Sequence, residues 1–166
     1  MVITECNPTH VPGAGTLRTR RIPPPTAVRI AVVHPADEHL VVLLRTLRGS
    51  GFRSDWAPDC EDALMMLAGA RFPVLICERE LQDGCWRDIL AQVKFLPRQP
   101  LVIVTSMFAD ERLWAEVLNL GGYDVLRKPF QEKEVMRMLD QALRWRPISL
   151  LQPFYTSMTP RPRRTG

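Results

Sequence analysis

A short apolar run in the middle of the chain, Val74 to Cys77, constrains the fold more than any other feature. Its length and its lack of polar interruptions are typical of a strand that is buried on both faces. An acid, Glu78, follows directly, a turn is indicated at Asp83-Gly84, and helical periodicity begins at Trp86. In parallel α/β sheets, binding residues are placed where a strand ends in a loop that leads into a helix. We therefore expect the functional site near Glu78.

The same alternation of apolar runs and helical stripes continues along the chain. Further strands are predicted over residues 30–33, 52–57, 101–105 and 123–126. The second of these is polar in its middle, as is typical of an edge strand. Asp59 and Asp110 are expected to cap two of the helices that follow, and Asp37-Glu38 open the first helix, whose start favours acids. Five strands alternating with five helices imply right-handed crossovers and an open parallel α/β sheet with helices on both faces.

Large side chains on the helical stripes are expected in the core. Trp86, Trp114 and Trp145 fall on or beside apolar stripes, so we predict that they anchor the core and do not form partner contacts. Cys77 lies inside the central apolar run and is also predicted to be buried.

The remaining sequence signals favour a cytoplasmic protein. None of the four cysteines forms a C-x-x-C pair, and reduced thiols are the favoured interpretation. No apolar run approaches the roughly 20 residues of a membrane span. No apolar segment of the signal-peptide type follows the first charges, so we expect no membrane association.

The two ends of the chain differ from its middle in composition and charge. Residues 1–27 contain five prolines and carry a formal +2, and residues 144–166 carry +5, which leaves −3 of the total +4 for residues 28–143. Chain termini with so few periodic apolar residues cannot bury enough apolar surface to offset the conformational entropy that is lost on folding. We predict a disordered arm over 1–27, a globular domain over 28–146 and a disordered tail over 147–166. A basic globular face for nucleic acid is not indicated.

In the predicted sheet, the carboxyl ends of the first, third, fourth and fifth strands meet in one cleft. They would gather four side chains from distant parts of the chain: His34, Glu78, Thr105 and Lys128. A carboxylate, a hydroxyl and an ammonium group at strand ends are typical of a site that handles phosphoryl groups. An acid beside a cation also favours the charged form of both. A metal site that uses both Cys77 and Glu78 is disfavoured, because neighbouring strand residues point to opposite faces.

Three segments carry a resemblance to a known family: Leu75 to Gly84, Val104 to Ser106, and Asp124 to Phe130. In this order and at this spacing, they resemble the receiver domain of bacterial two-component response regulators. The resemblance extends from Arg29 to Trp145 and implies a flavodoxin-like (βα)5 fold with strand order 2-1-3-4-5.

The resemblance also implies roles for individual residues. Glu78 stands at the position of the phosphate-accepting aspartate, Thr105 at that of the switch hydroxyl and Lys128 at that of the invariant lysine. The Lys128-Pro129 bond would be cis, as is typical of the family, because cis bonds are nearly confined to proline. The aromatic switch position falls on Val125.

The departures from the family pattern concern the metal. The two acids that hold Mg²⁺ in receivers correspond here to His34 and Pro35. Asp37 and Glu38 come later, at a helix start that would point them elsewhere. Mg²⁺ requires hard oxygen ligands with one or two carboxylates among them, and Glu78 alone cannot supply that set. Because catalysis of phosphoryl transfer is mostly electrostatic, we expect the transfer to be lost or very slow.

Glu78 itself has two interpretations. Its carboxylate reaches farther than that of an aspartate, so Lys128 and Thr105 could bind it as if the site were already phosphorylated. Alternatively, the acid has drifted in a dead site and persists because Lys128 needs a partner. Val125 favours drift, since the aromatic readout of the family is absent.

The expected function is a receiver-like signalling module of a phosphorelay pathway that acts through protein–protein interaction, without a catalytic residue, metal or cofactor. The expected partner is a histidine kinase or a downstream regulator. Because no output domain follows residue 146, we expect no direct nucleic-acid binding. One alternative is a stand-alone receiver that still accepts phosphate through an unconventional site. Another is a flavodoxin-type enzyme, which is disfavoured because His34 to Asp37 form no glycine- and hydroxyl-rich phosphate loop.

Overall fold

In the computed structural model, the described part of the chain runs from residue 28 to residue 145. The elements follow in this order: β1 (Arg29–Val33), α1 (Glu38–Gly49), β2 (Arg53–Ala57), α2 (Cys60–Gly69), β3 (Val74–Glu78), β4 (Glu80–Leu81), β5 (Gly84–Cys85), α3 (Trp86–Val93), β6 (Leu101–Ser106), α4 (Glu111–Leu120), β7 (Asp124–Arg127) and α5 (Glu132–Trp145). The predicted arms over 1–27 and 147–166 lie outside the described residues. Between residues 28 and 145, no helix is long and apolar enough to cross a bilayer.

Five of the strands form one parallel sheet in the order β2-β1-β3-β6-β7. When only the strands of this sheet are numbered, the order is 2-1-3-4-5, so the predicted flavodoxin-like α/β fold is confirmed. β2 lies at an edge of the sheet, as its polar middle predicted. The neighbouring strands β1 and β3 end at the same side of the sheet, where His34 and Glu78 lie.

The sheet is enclosed on both faces because its strands alternate their side chains between two cores. The core towards α1 and α5 contains Ile30 and Ile76, and the core towards α2, α3 and α4 contains Leu75 and Cys77. All five residues of β3 are buried. Glu78, the last of them, is therefore a charged residue that the packing of the sheet has largely removed from water.

Three of the helices begin at an aspartate cap, and two of these caps, Asp59 and Asp110, were predicted. The carboxylates of Asp37, Asp59 and Asp110 each accept a hydrogen bond of 2.8–2.9 Å from the backbone amide three residues farther on. A cap of this kind typically contributes about 1 kcal/mol to helix stability. The cap at Asp37 starts α1 three residues after His34.

A short hairpin of β4 and β5 lies between β3 and α3, and the periodicity did not predict it. Its turn contains Asp83, whose carboxylate accepts hydrogen bonds from the backbone amides of Cys60 (2.8 Å) and Glu61 (3.1 Å) at the start of α2. The bond from the Cys60 amide is the main cause that lowers the pKa of Asp83 below its ordinary value. The hairpin thus ties the loop after Glu78 to α2.

Two of the three predicted core tryptophans do not lie in the core. Trp86 is fully buried, but Trp114 is 49% exposed and Trp145 is 81% exposed. The buried residues of α4 are Leu113 and Val117, so the side chain of Trp114 faces outward beside them. Trp145 is the last residue of α5, and its side chain faces water. The prediction was wrong for both residues. A position at the edge of an apolar stripe does not determine whether the ring packs into the core or faces water.

Candidate functional site

Four side chains from distant parts of the chain meet at the carboxyl edge of the sheet. The Oε2 atom of Glu78 accepts a hydrogen bond from the Thr105 hydroxyl at 2.7 Å. The same oxygen lies 2.8 Å from Nζ of Lys128 and 3.0 Å from Nε2 of His34. The structure therefore brings together the four residues that the sequence placed at strand ends, and it directs three of them to one oxygen atom.

Strand pairing positions the acid, the hydroxyl and the lysine. Glu78 of β3 lies opposite Thr105 of β6 in the parallel register, and paired residues of a sheet point to the same face. Lys128 follows β7, and its backbone amide donates to the carbonyl of Ser106 at 2.9 Å. The Lys128-Pro129 bond is cis, and the Pro129 ring is exposed.

The position of His34 is determined by β2 and by its own neighbour. Its backbone amide donates to the carbonyl of Ala57 at 3.0 Å, and its carbonyl accepts from the indole of Trp56 at 2.8 Å. Nδ1 of the ring lies 2.9 Å from the carbonyl oxygen of Pro35. These bonds hold the imidazole so that Nε2 lies 3.0 Å from Oε2 of Glu78.

The site is nearly closed to water. His34 and Thr105 are fully buried, and Glu78 and Lys128 are only 7% and 8% exposed. Burial by itself would raise the pKa of Glu78, but the contacts with His34, Lys128 and Thr105 together lower it below its ordinary value. The carboxylate is therefore ionised at neutral pH. In such a closed site, removal of one charged partner leaves the other buried without compensation.

Two further residues take part in the site although the sequence assigned them no role there. Ser106 is buried, and its Oγ accepts a hydrogen bond from the backbone amide of Phe108 at 3.1 Å. The ring of Phe130 lies edge-on to the rings of His34 and His39, with centroids 6.2 Å from each. The sequence signals were that each lies next to a predicted site residue or its proline and ends a segment that carries the resemblance.

The family model for the response regulator receiver domain matches residues 30–140. The chain belongs to this family. The receiver is 28% identical over 117 residues to the transcriptional regulatory protein ZraR of Salmonella typhimurium and 27% identical over the same length to that of Escherichia coli K12. Each match covers 70% of this chain and 26% of the relative. The chain thus spans about a quarter of the length of the curated relatives it matches.

Solved receiver structures show the same fold. A putative response regulator from Chloroflexus aurantiacus has a TM-score of 0.67 at 22% identity, and the match covers 71% of this chain and 98% of that one. The signal receiver domain of an HD domain-containing protein from Pseudomonas fluorescens has a TM-score of 0.64 at 25% identity, with 71% and 88% covered. The receiver domain of the sensor histidine kinase PA1611 from Pseudomonas aeruginosa, solved with a magnesium ion coordinated in its active site cleft, has a TM-score of 0.64 at 21% identity, with 70% and 98% covered.

The other positions singled out in this receiver lie around the cleft without touching Oε2 of Glu78. Pro35 is half-buried, and its carbonyl oxygen is the partner of His34 Nδ1. Asp37 caps α1, with Oδ1 3.5 Å from the same nitrogen, and Glu38 is exposed. Val125 is half-buried in β7 and packs on the core towards α2, α3 and α4.

Proposed function

We propose that this receiver is a signalling module of a phosphorelay pathway that acts by protein–protein contact and does not undergo ordinary Mg²⁺-dependent aspartyl phosphorylation. One observation carries the proposal. The acid at the end of β3 is Glu78, and its Oε2 already contacts Lys128, Thr105 and His34 in a site with little access for water. An incoming phosphoryl group would have to displace these contacts.

The donor set of the cleft does not fit Mg²⁺. That ion requires oxygen ligands in a near-octahedral arrangement and is usually held by one or two carboxylates. The positions of the family's two metal-binding acids are His34, whose ring nitrogens face Glu78 and a carbonyl, and Pro35, which has no side-chain ligand. In the part of the chain that the structure describes, no three His, Cys, Asp or Glu residues form a metal-binding group. The related PA1611 receiver, by contrast, was solved with magnesium in its cleft.

The loss of metal binding removes the main source of catalysis. Charge on a transferring phosphoryl group is neutralised chiefly by the metal, and positioning and electrostatics account for nearly all of the rate enhancement. Lys128 remains, but its ammonium group is already paired with Glu78 at 2.8 Å. We therefore assign no catalytic residue and no cofactor to this domain.

The surface next to the site supports a role in protein contact. Met107 and Phe108 directly follow β6 and are 45% and 78% exposed. The Phe108 amide donates to Ser106, the neighbour of Thr105, so this apolar loop is coupled to the site through two residues. The partner is a histidine kinase or a downstream regulator, and any action on nucleic acid would come through that partner.

The test is mass spectrometry of the full chain after incubation with acetyl phosphate and Mg²⁺. The mass should remain unchanged, and a magnesium titration should show no binding at millimolar concentration. The PA1611 receiver is the positive control for magnesium binding, since its solved structure contains the ion. Glu78→Asp is the matched variant: an aspartate without metal ligands should also leave the mass unchanged.

A Mg²⁺-dependent gain of one phosphoryl group on an acid of the wild-type cleft would overturn the proposal. It would establish the alternative instead, a receiver that accepts phosphate through an unconventional site. A gain only in Glu78→Asp would show that the cleft still holds the metal, and the argument from its donor set would then be wrong.

A further inference from the structure

We propose that two copies of this chain associate through β2, which pairs antiparallel with itself about a two-fold axis at Ser54 and joins the two sheets into one. The inference goes beyond the proposed function, because it involves neither the cleft around Glu78 nor the loop after β6. It names an interaction surface and its occupant, a second copy of the chain.

The first observation is a row of backbone groups along β2 that face away from the sheet. In the described part of the chain, β1 is the only strand beside β2. The Arg53 amide donates to the carbonyl directly before β1, and the Ala57 carbonyl accepts from the amide directly after β1, both at 3.0 Å. Because the backbone groups of a strand alternate in direction, those of Ser54 and Trp56 point away from β1. They can therefore pair with a further strand.

The side chains at this edge are accessible to a partner. Arg53 and Ser54 are exposed, and Trp56 is 42% exposed. The indole of Trp56 donates to the carbonyl of His34 at 2.8 Å, so the ring is already held in place. A fixed aromatic side chain loses little conformational freedom on binding, and tryptophan is enriched at protein interfaces. The edge thus combines unpaired backbone groups with a rigid aromatic side chain.

The residues of β2 complement one another in the register with Ser54 on the axis. Directly opposite residues of an antiparallel pair point to the same face, and opposite charges and aromatic pairs at such positions stabilise a sheet. Arg53 of each copy then lies opposite Asp55 of the other, and Phe52 lies opposite Trp56. The two Ser54 residues exchange backbone hydrogen bonds across the axis.

Neighbouring registers are disfavoured by charge. An axis at Arg53 would place the two arginines directly opposite each other, and an axis at Asp55 would do the same with the two carboxylates. Like charges at directly opposite positions destabilise a sheet. The register at Ser54 is the one between them that brings each arginine against an aspartate.

The charged groups at the edge are prepared for this pairing. Both oxygens of Asp55 accept from the Arg29 guanidinium, at 2.9 and 2.8 Å, and this guanidinium also lies over the ring of Phe72. The carboxylate is therefore held in position, and it keeps lone pairs for a second donor. Arg53 forms no ion pair within residues 28–145, so its guanidinium is available to the second copy.

The assembly would be small, closed and compatible with a signalling partner. β2 has only five residues, and interfaces of small area are typical of weak, transient association. Each copy uses the same strand, so the assembly stops at two. β7 lies at the opposite edge of the sheet, and the apolar loop at Met107 and Phe108 follows β6, so both stay free in each copy.

The experiment is sedimentation equilibrium of the full chain between about 10 μM and about 1 mM, the range in which a weak interface associates. The fraction of dimer should rise across this range. Hydrogen exchange of the Ser54 amide, followed by NMR, should become slower over the same concentrations. A chain that remains monomeric at the highest concentration would overturn the inference, even if a strand of a different protein binds this edge.

Two variants locate the contact. Ser54→Pro removes an N–H group that points away from β1, a position at which an edge strand tolerates proline. Arg53→Glu places an acid opposite Asp55 of the second copy. Each should weaken the dimer at least about fivefold, because the change occurs twice in a two-fold assembly.

Arg98→Glu is the matched control, since it makes the same change of charge at an exposed residue between α3 and β6. It should leave the association unchanged. If Ser54→Pro does not fold, which circular dichroism would show, Arg53→Glu decides. A dimer that survives Arg53→Glu, or that Arg98→Glu weakens equally, would refute pairing through β2. None of these residues lies in the cleft, so the result with acetyl phosphate is independent of this one.

Discussion

One oxygen atom of Glu78 makes three contacts in the site. Substitutions of Glu78 can therefore test the role of its charge separately from the role of its size. Glu78→Gln keeps the size of the side chain but leaves Lys128 opposite a neutral amide in a nearly closed site. We expect the free energy of unfolding to fall by about 1–3 kcal/mol, less if water enters. Urea denaturation measures this value. Glu80→Gln is the control: its side chain is 83% exposed, and its effect should stay within about 0.5 kcal/mol.

The difference between wild type and Glu78→Gln should also depend on pH. The contacts of Glu78 lower its pKa in the folded state below its ordinary value of about 4.3, so the unfolded chain binds the proton more readily. The stabilisation is complete above that value and is lost as the pH falls through the lower folded-state pKa. The two unfolding curves should therefore converge in acid. A difference that grows on acidification would contradict the assigned ion pair.

Glu78→Asp distinguishes mimicry of the phosphorylated state from drift. The shorter side chain still reaches toward Lys128, but it withdraws from the hydroxyl that Glu78 contacts at 2.7 Å. Under mimicry, backbone amides from Ser106 to Asp110 should shift, affinity for the partner should fall, and the thermal midpoint should change little. Thr105→Val removes the same hydrogen bond and should shift the same amides. If Glu78→Asp binds the partner as tightly as wild type does, the interpretation as a permanently active state is excluded.

At the scale of elements, the loops after the strands determine how the site is assembled. The hairpin that follows Glu78 is anchored on α2 by the carboxylate of Asp83, although the two segments are more than twenty positions apart in sequence. The bond between the Phe108 amide and Ser106 fixes the loop after β6 in a similar way. The first loop starts directly after Glu78, and the second starts after Ser106, one residue beyond Thr105. The two residues that contact each other in the site therefore lie close to the two loops in sequence.

At the scale of the whole molecule, the prediction concerns the two ends of the chain, which lie outside the described residues. Both buried clusters are built from residues between Ile30 and Ala142. We expect removal of residues 1–26 and 148–166 to leave the thermal midpoint nearly unchanged, because proline-rich ends contribute little to a core. Differential scanning calorimetry of the full and shortened chains measures it. Shortening one end at a time is the control, and a large fall for either end would show that it docks on the domain.

Local rules were sufficient for much of this molecule. The length of the apolar runs and their alternation with helical stripes determined the strands, their order of connection and the α/β class. The caps at Asp59 and Asp110 followed from the chemistry of helix starts, and so did the acidic start of α1 at Asp37. Even the gathering of His34, Glu78, Thr105 and Lys128 could be expected, since parallel strands present their carboxyl ends at one edge.

Only the tertiary structure decided what these residues do to each other. The Thr105 hydroxyl, the Lys128 ammonium group and Nε2 of His34 all lie within 3.0 Å of Oε2 of Glu78. This arrangement depends on distances set by the β1–β3 and β3–β6 pairing and by backbone contacts from β2. The outward face of Trp114 and the bond from Asp83 to α2 likewise depend on neighbours far away in sequence. Periodicity reports which side of one element is apolar. Periodicity gives no distance between atoms of different elements. The interactions between charged groups in a buried site depend on those distances.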